Sequence, residues 1–427
     1  MGRTVSALAA TAVVAGVLVA GTSGPPSAAL TIDGPLPECG ASESEWIEQP
    51  SWVVSRLGTN DAWPLSQRGR GVVVAVVDGG VNDGNPHLQG QVLPGTSLVS
   101  AQAEPEGTFD GTTDFINHGT AIASLIAAKA VPESGLVGIA PRSEILPVRF
   151  FSSDDEQDLA AGNGPSVGRL AQGIRYAADN GADIINVSIS QSGPDPGLQA
   201  AVEHAQSLDV LVVASAGNRG EQDEPDAPRW PAAYDGVLGV TATDQQDRVT
   251  ESSLHSEGVD VAAPGQQVTA AFFDQKDCVY AQGDEAPATS WATGYVSGAA
   301  ALVQAAHPGE SAEQIAYRLM ATADRPVRDR RDDVRGWGIV QPYQAIVMTV
   351  DPNRAGPLVP GAAAEVAAPE VGQVADIVPL TDPLAARRDD VVWWGLLGLA
   401  GLGLLLLLTQ WNRLTRGSRR EGSSSPA

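Results

Sequence analysis

The chain has 427 residues, 43% of them apolar, and a formal net charge of −25 from 51 acidic against 26 basic side chains. That length and apolar content provide a substantial core. So acidic a surface excludes a nucleic-acid partner, because phosphate binding needs a basic face.

Residues 1–29 carry Arg3, an apolar run to Ala20, a Gly/Pro break and small residues at Ser27, Ala28 and Ala29. This is the layout of a secretory signal peptide cut near Ala29. An N-terminal membrane anchor fits less well, because the apolar run is short. An extension, 30–45, follows.

Between 46 and 348 the pattern alternates strand and helix. GVVVAVVDGG (71–80) is a β-branched run ended by glycines, which predicts a buried parallel strand. HGTAIASLIAAKA (118–130) predicts a helix of small and apolar residues, and EILPVRFF a strand. VGRLAQGIRYAADNG predicts an amphipathic helix stopped at Gly181. ADIINVSIS predicts a strand, PGLQAAVEHAQSLD a helix and VLVVASAGN a buried strand. Repeated βαβ units imply an α/β fold, a parallel sheet with helices on both faces. Ligands of such sheets bind beyond the carboxyl ends of the strands.

Residues 349–390 form a Pro-rich linker without aromatics; such a stretch builds no core of its own. The segment 391–411 predicts one C-terminal transmembrane helix. Val391 to Thr409 carries no charge, long enough to cross the ~30 Å hydrocarbon layer, and Trp393, Trp394 and Trp411 sit near its ends. The tail 412–427 has Arg413, Arg416, Arg419 and Arg420, against Arg387 and Arg388 before the segment. This asymmetry favours a cytoplasmic tail and, with the signal peptide, an extracytoplasmic domain anchored in the cell membrane. There are two cysteines, Cys39 and Cys278. An even count outside the cytoplasm predicts a disulfide, worth ~4–5 kcal/mol in the chain-entropy model for so long a loop; two unpaired thiols are the alternative.

Four residues fall where strands end or helices begin. Asp78 directly follows the buried run VVVAVV, where a carboxylate needs a partner; alone, it reads as an Asp-Gly turn. His118 opens a helix, where the dipole disfavours an imidazolium unless a carboxylate offsets it. The other histidines fit chemistry less well. His87 and His255 lie in loops, where a lone histidine is ordinarily at the surface; His204 is in a polar helical stretch, and His307 follows a helix. Asn218 ends VLVVASAGN, as a turn residue or as an amide for a developing oxyanion. Ser290 opens ATSWATGYVSGAAALV (288–303), as a helix cap or as a nucleophile at a helix N-terminus. Each has a bland explanation. Together they supply orienter, base, oxyanion donor and nucleophile for acyl transfer.

VVVAVVDGGV, HGTAIASLIAAK, GLVGIAPRSEILPVR, INVSIS, VVASAGN, SEGVDVAAPG and ATSWATGYVSGAAALV resemble, in order, the motif blocks of subtilisin-like serine proteases, over roughly Trp46 to Met348. The resemblance implies a subtilisin-like fold and a serine endopeptidase working through an acyl-enzyme. It makes Asp78 the orienter, His118 the general base and acid, Ser290 the nucleophile and Asn218 the oxyanion donor. It also makes Ser188, Ile189 and Ser190, with Ala214, Ser215, Ala216 and Gly217, the strands that flank the substrate. The whole layout is similar to that of mycosins, the anchored proteases of type VII secretion systems. That implies protein or peptide substrates and secretion-complex partners, with a structural role in the complex as the alternative function. Subtilases often bind calcium, but no ligand cluster stands out here, and no metal or cofactor is expected. The stretch 30–70 is too short for a usual folded propeptide domain and is expected to stay attached and wrap the catalytic domain.

Three motif blocks depart from the family pattern. Ala288 stands for Gly and Thr293-Gly294 for Ala-Pro around Ser290; Gly79-Gly80 follows Asp78 where Thr/Ser-Gly is usual; Asn117 replaces a Gly before His118. A positive φ at 288 would strain Ala by about 1 kcal/mol.

Overall fold

The VVVAVV run becomes the centre of a sheet in the computed structural model of the chain, which describes residues 30–32, 45–100, 109–220, 225–283, 286, 288–352, 354–361 and 385–417. The signal peptide 1–29, Cys39 and most of the linker lie outside the described residues. The chain divides into two units, residues 1–362 and 363–427.

In the first unit the strands are β1 (Leu30–Ile32), β2 (Val73–Asp78), β3 (Thr96–Ser97), β4 (Glu144–Arg149), β5 (Ile184–Val187), β6 (Ile189–Gln191), β7 (Leu211–Ser215), β8 (Leu238–Thr243), β9 (Val261–Pro264), β10 (Val268–Ala271) and β11 (Asp277–Tyr280). The helices are α1 (Trp52–Arg56), α2 (Thr59–Ser66), α3 (His118–Ala127), α4 (Glu156–Ala161), α5 (Val167–Asp179), α6 (Pro196–Ser207), α7 (Thr289–Ala306), α8 (Ala312–Thr322) and α9 (Pro342–Val347). Seven strands make one sheet in the order β3-β4-β2-β5-β7-β8-β9, with parallel pairings throughout. β10 and β11 form an antiparallel hairpin, and β1 pairs antiparallel with β6.

Side-chain alternation along β2 shows why both faces are covered. Val74 and Val76 pack with Ile122 and Leu125 of α3 and Val296 and Ala299 of α7. Ala75 and Val77 face the opposite core, which contains Leu170 and Ile174 of α5 and, further along it, Leu198 and Val202 of α6. Each buried Val or Leu stabilises the fold by about 1.5–3 kcal/mol. The expected strand ADIINVSIS is broken at Ser188 into β5, in the sheet, and β6, which leaves it. The predicted stop of α5 is seen: Gly181 takes φ +85° two residues beyond the last helical residue.

α7 is buried all round from Thr289 to Val303, as a helix through the middle of a domain must be. Its small residues permit this: a Cβ on Gly298 would lie 2.8 Å from that of Ile139. Gly294 faces ordinary van der Waals space, 3.4 Å from Ile122 at the nearest, so no steric demand explains its departure from the family pattern.

The second unit contains the helix α10 (Ala385–Gly417), whose described side chains include exposed Trp393, Trp394, Leu402 and Trp411. Several of its side chains lie outside the described residues, and among the described residues no helix is long and apolar enough to cross a membrane. The transmembrane reading of 391–411 keeps its basis in the sequence.

Candidate active site

β2 ends at Asp78, fully buried, and α3 begins at His118, 4% exposed. Both Asp78 carboxylate oxygens lie 2.9 Å from His118 Nδ1, and Asp78 Oδ1 also accepts from the Gly79 N–H at 2.7 Å. The second glycine after Asp78 is required by geometry. Gly80 has φ +106°, and a Cβ there would sit 2.0 Å from the Thr113 carbonyl oxygen. The sequence did not single out Asp114, yet it builds the turn before α3. Its carboxylate accepts from the N–H groups of Ile116, Asn117 and Thr120 at 3.0, 2.9 and 2.8 Å, and from the Thr120 hydroxyl at 2.6 Å. Burial pushes its pKa up; the Thr120 hydrogen bonds pull it back, and the nearby Asp78 charge adds to the rise.

At the head of α7 neither hydroxyl acts as a cap. The N-cap is Ala288, with no side-chain cap bond. Ser290 Oγ donates to the Ser188 carbonyl at 3.0 Å, and Thr289 Oγ1 lies 2.8 Å from Ser215 Oγ. The Ser188 hydroxyl in turn donates to the Ser290 carbonyl at 3.1 Å and accepts from Asn186 Nδ2 at 2.9 Å. Ser297 Oγ donates to Asn186 Oδ1 at 2.9 Å. This buried chain pins the helix start to the ends of β5 and β7. Asn186 and Ser297 were missed in the sequence; a lone amide inside the apolar run IINV was the available signal. Ala288 has φ −130° and ψ −20°, so the strain anticipated for a positive φ does not arise. Asn117 does take the left-handed conformation, φ +61°, which Gly adopts freely and Asn tolerates.

α3 and α7 meet near their starts, with Gly294 against Ile122. The rings of His118 and Trp291, the residue after Ser290, have centroids 5.3 Å apart. Asn218 Oδ1 accepts from the N–H groups of Ala288 and Thr289, both at 3.2 Å, which fixes the amide's orientation and makes Nδ2 its donor end. Asp78, His118, Ser290 and Asn218 therefore lie at element ends: Asp78 closes β2, His118 opens α3, Ser290 lies in the first turn of α7 and Asn218 lies beyond β7.

Ser188, Ile189, Ser190, Ala214, Ser215 and Ala216 are all buried, and Val187 pairs with Ala214 across β5 and β7. Gly217 has φ +100°, and a Cβ there would lie 2.5 Å from Arg229 Cγ. β6 accepts an extended partner from this chain itself: Leu30, Thr31 and Ile32 pair with Gln191, Ser190 and Ile189.

His87 is not at the surface, as its loop setting suggested. It is fully buried, with Nδ1 2.8 Å from the Lys129 carbonyl and Nε2 3.0 Å from Asp277 Oδ1. Asp277 Oδ2 also accepts from the Ile47 N–H at 3.1 Å, and Glu45 bridges to the Asp277 backbone. This second His–Asp pair ties the end of the N-terminal extension to β11, where Cys278 lies buried. Among the described residues no cysteine is free, and no three His, Cys, Asp or Glu are grouped to hold a metal ion.

A strand-terminal Asp clamped to a helix-initial His, beside a helix opening on Ser, is the arrangement of a serine protease, and the model of the subtilase family matches residues 69–338. The chain belongs to the subtilase family of serine proteases. It is 35% identical to thermitase of Thermoactinomyces vulgaris over 270 residues, 63% of this chain and 87% of thermitase. It is also related to the mycosins, being 30% identical over 351 residues to mycosin-1 of Mycobacterium tuberculosis, 72% of this chain and 76% of mycosin-1. The solved structure of the serine protease MycP1, an essential component of the type VII (ESX-1) secretion system, matches with a TM-score of 0.61 at 29% identity, covering 73% of this chain and 92% of that one.

Proposed function

We propose that the chain is an endopeptidase in which Ser290 is the nucleophile, His118 the general base and acid, and Asp78 the group that holds the imidazole. The supporting observation is the buried Asp78–His118 clamp, with both carboxylate oxygens at 2.9 Å from Nδ1. It fixes the tautomer with the proton on Nδ1 and leaves Nε2 basic. The Ser290 hydroxyl turns from the Ser188 carbonyl toward Nε2, gives up its proton, and Oγ bonds to the peptide carbonyl carbon. Asn218 Nδ2 and the Ser290 N–H, at a helix N-terminus, stabilise the oxyanion. Collapse breaks the C–N bond, Nε2 protonates the leaving amine, and water then releases the acyl group by the same steps in reverse. Substrate lies extended against β6 and the Ala214–Gly217 segment. The antiparallel pairing of Leu30–Ile32 with β6 supports this, because backbone pairing at an open strand is how extended peptides are held.

The protein is exported by residues 1–29, anchored by 391–411, and works outside the membrane with residues 412–427 in the cytoplasm. The uncharged run from Val391 to Thr409 and its flanking Trp and Arg residues support this. Cys39 and Cys278 form a disulfide; Cys278 is not free, and the chain has no other cysteine than Cys39 to pair with it. The kinship with mycosin-1 points to processing of proteins that pass through a type VII system. Comparison of secreted proteins between wild-type and Ser290→Ala strains tests this. Specific proteins that retain their unprocessed size in the mutant are expected, and identical patterns would reject processing. Arrest of secretion in a strain lacking the whole chain, but not in Ser290→Ala, would mark a structural role in the complex.

A further inference from the structure

Asp78 restrains one atom of the His118 ring, and the ring can still pivot about that contact. The structure holds the ring's face by another route. Asn117, the residue before His118, is fully buried at φ +61°. Its Nδ2 donates to the Ala271 carbonyl at 3.1 Å and to Tyr280 Oη at 2.7 Å, and its Oδ1 accepts from the Phe273 N–H. All three partners belong to the β10–β11 hairpin and its turn. The Tyr280 ring then lies 4.9 Å from Trp291, and Trp291 lies 5.3 Å from His118. Tyr280 and Trp291 are 3% and 5% exposed, so neither ring has solvent to swing into. The contacts close a circuit from the turn before His118, through the hairpin and Trp291, back to the imidazole. Trp291 is also covalently next to Ser290, so one indole spans base and nucleophile.

We propose that Asn117, Tyr280 and Trp291 are positioning residues for His118, holding the imidazole plane so that Nε2 meets the Ser290 hydroxyl. The inference rests on the reading of Ser290 and His118 as nucleophile and base. Displacement of a catalytic group by about 1 Å costs on the order of 10²-fold in rate, and ring wobble acts on the chemical step alone.

The test uses the full-length protein and an alkyl fluorophosphonate, whose saturation kinetics separate the maximal labelling rate from the half-saturating concentration. Trp291→Ala is expected to lower the maximal rate by about 10²-fold with half-saturation changed less than threefold. Trp291→Phe, which keeps a ring on His118, is expected to recover at least tenfold of that loss. Tyr280→Phe keeps its ring on Trp291 and removes only the hydroxyl taken by Asn117; Asn117→Gly keeps the left-handed turn and removes the clasp. Each is expected to slow labelling several-fold in protein that thermal melting shows to be folded, and these two decide the matter if Trp291→Ala does not fold. Maximal rates within twofold of wild type in the folded variants would overturn the positioning role while leaving the nucleophile reading intact. A wild-type protein that takes no label at all would overturn both.

Discussion

Replacing Asp78 by Asn tests the clamp with almost no change of shape. Asp78 is fully buried, its Oδ1 is held by the Gly79 N–H at 2.7 Å, and both oxygens lie 2.9 Å from His118 Nδ1. An Asn must keep its carbonyl oxygen toward Gly79, because an NH₂ there would face another donor. The NH₂ then falls at the Oδ2 position and donates to Nδ1. The imidazole answers by moving its proton to Nε2, the atom proposed to accept from Ser290. The imidazolium formed during attack also loses its buried counter-charge. In triads of this kind the substitution costs about 10⁴-fold in kcat, which corresponds to about 5 kcal/mol of transition-state stabilisation at ~1.4 kcal/mol per decade. The assay is the second-order rate of fluorophosphonate labelling, with thermal melting to show that Asp78→Asn is folded. A folded variant that labels within tenfold of wild type would refute the argument that this carboxylate sets the tautomer.

Two further outcomes follow from the geometry. Ala288→Gly should leave labelling unchanged and lower stability by about 0.4–1 kcal/mol, because Ala288 already has φ −130° and Gly only adds freedom to the unfolded chain; a gain in melting temperature would contradict this. Burial, opposed by the Gly239 N–H and by Arg331, raises the Asp260 carboxyl from 3.8 to about 6. A folded pKa above the unfolded one means that the native state binds the proton more tightly. The associated stability is present below about pH 4 and is lost as pH rises through 6. Asp260→Asn, which can still accept from Gly239, should therefore raise stability at pH 8 by up to about 3 kcal/mol, less whatever solvent screening removes, and change little at pH 4. Denaturant melts at the two pH values decide it, and an equal effect at both would contradict it.

The buried strands could be read from sequence because Val-rich runs ended by Gly have few alternatives in a covered parallel sheet. Asp78, His118, Asn218 and Ser290 stood out as candidates for a related reason: each is a polar residue placed where an apolar run stops or starts. Asp114, Tyr280 and Trp291 did not. Their roles come from contacts between segments far apart in the chain, such as Asn117 with Tyr280, which no local pattern encodes. The pairing of His87 with Asp277 hid in a loop that looks solvent-facing until the extension covers it. In the doublet Gly79-Gly80 the second glycine matches its family and is demanded by φ at Gly80; the first, which is the departure, has no positive φ, and a Cβ there would lie 3.2 Å from the Ile116 side chain. Ala288 looked strained and is not.

Locating the fluorophosphonate adduct by peptide mass spectrometry tests the central claim most directly. One phosphonyl group on Ser290, absent after His118→Ala, is the predicted result. An unlabelled Ser290 in folded protein, or equal labelling of Ser290 without His118, would contradict the assignment of nucleophile and base.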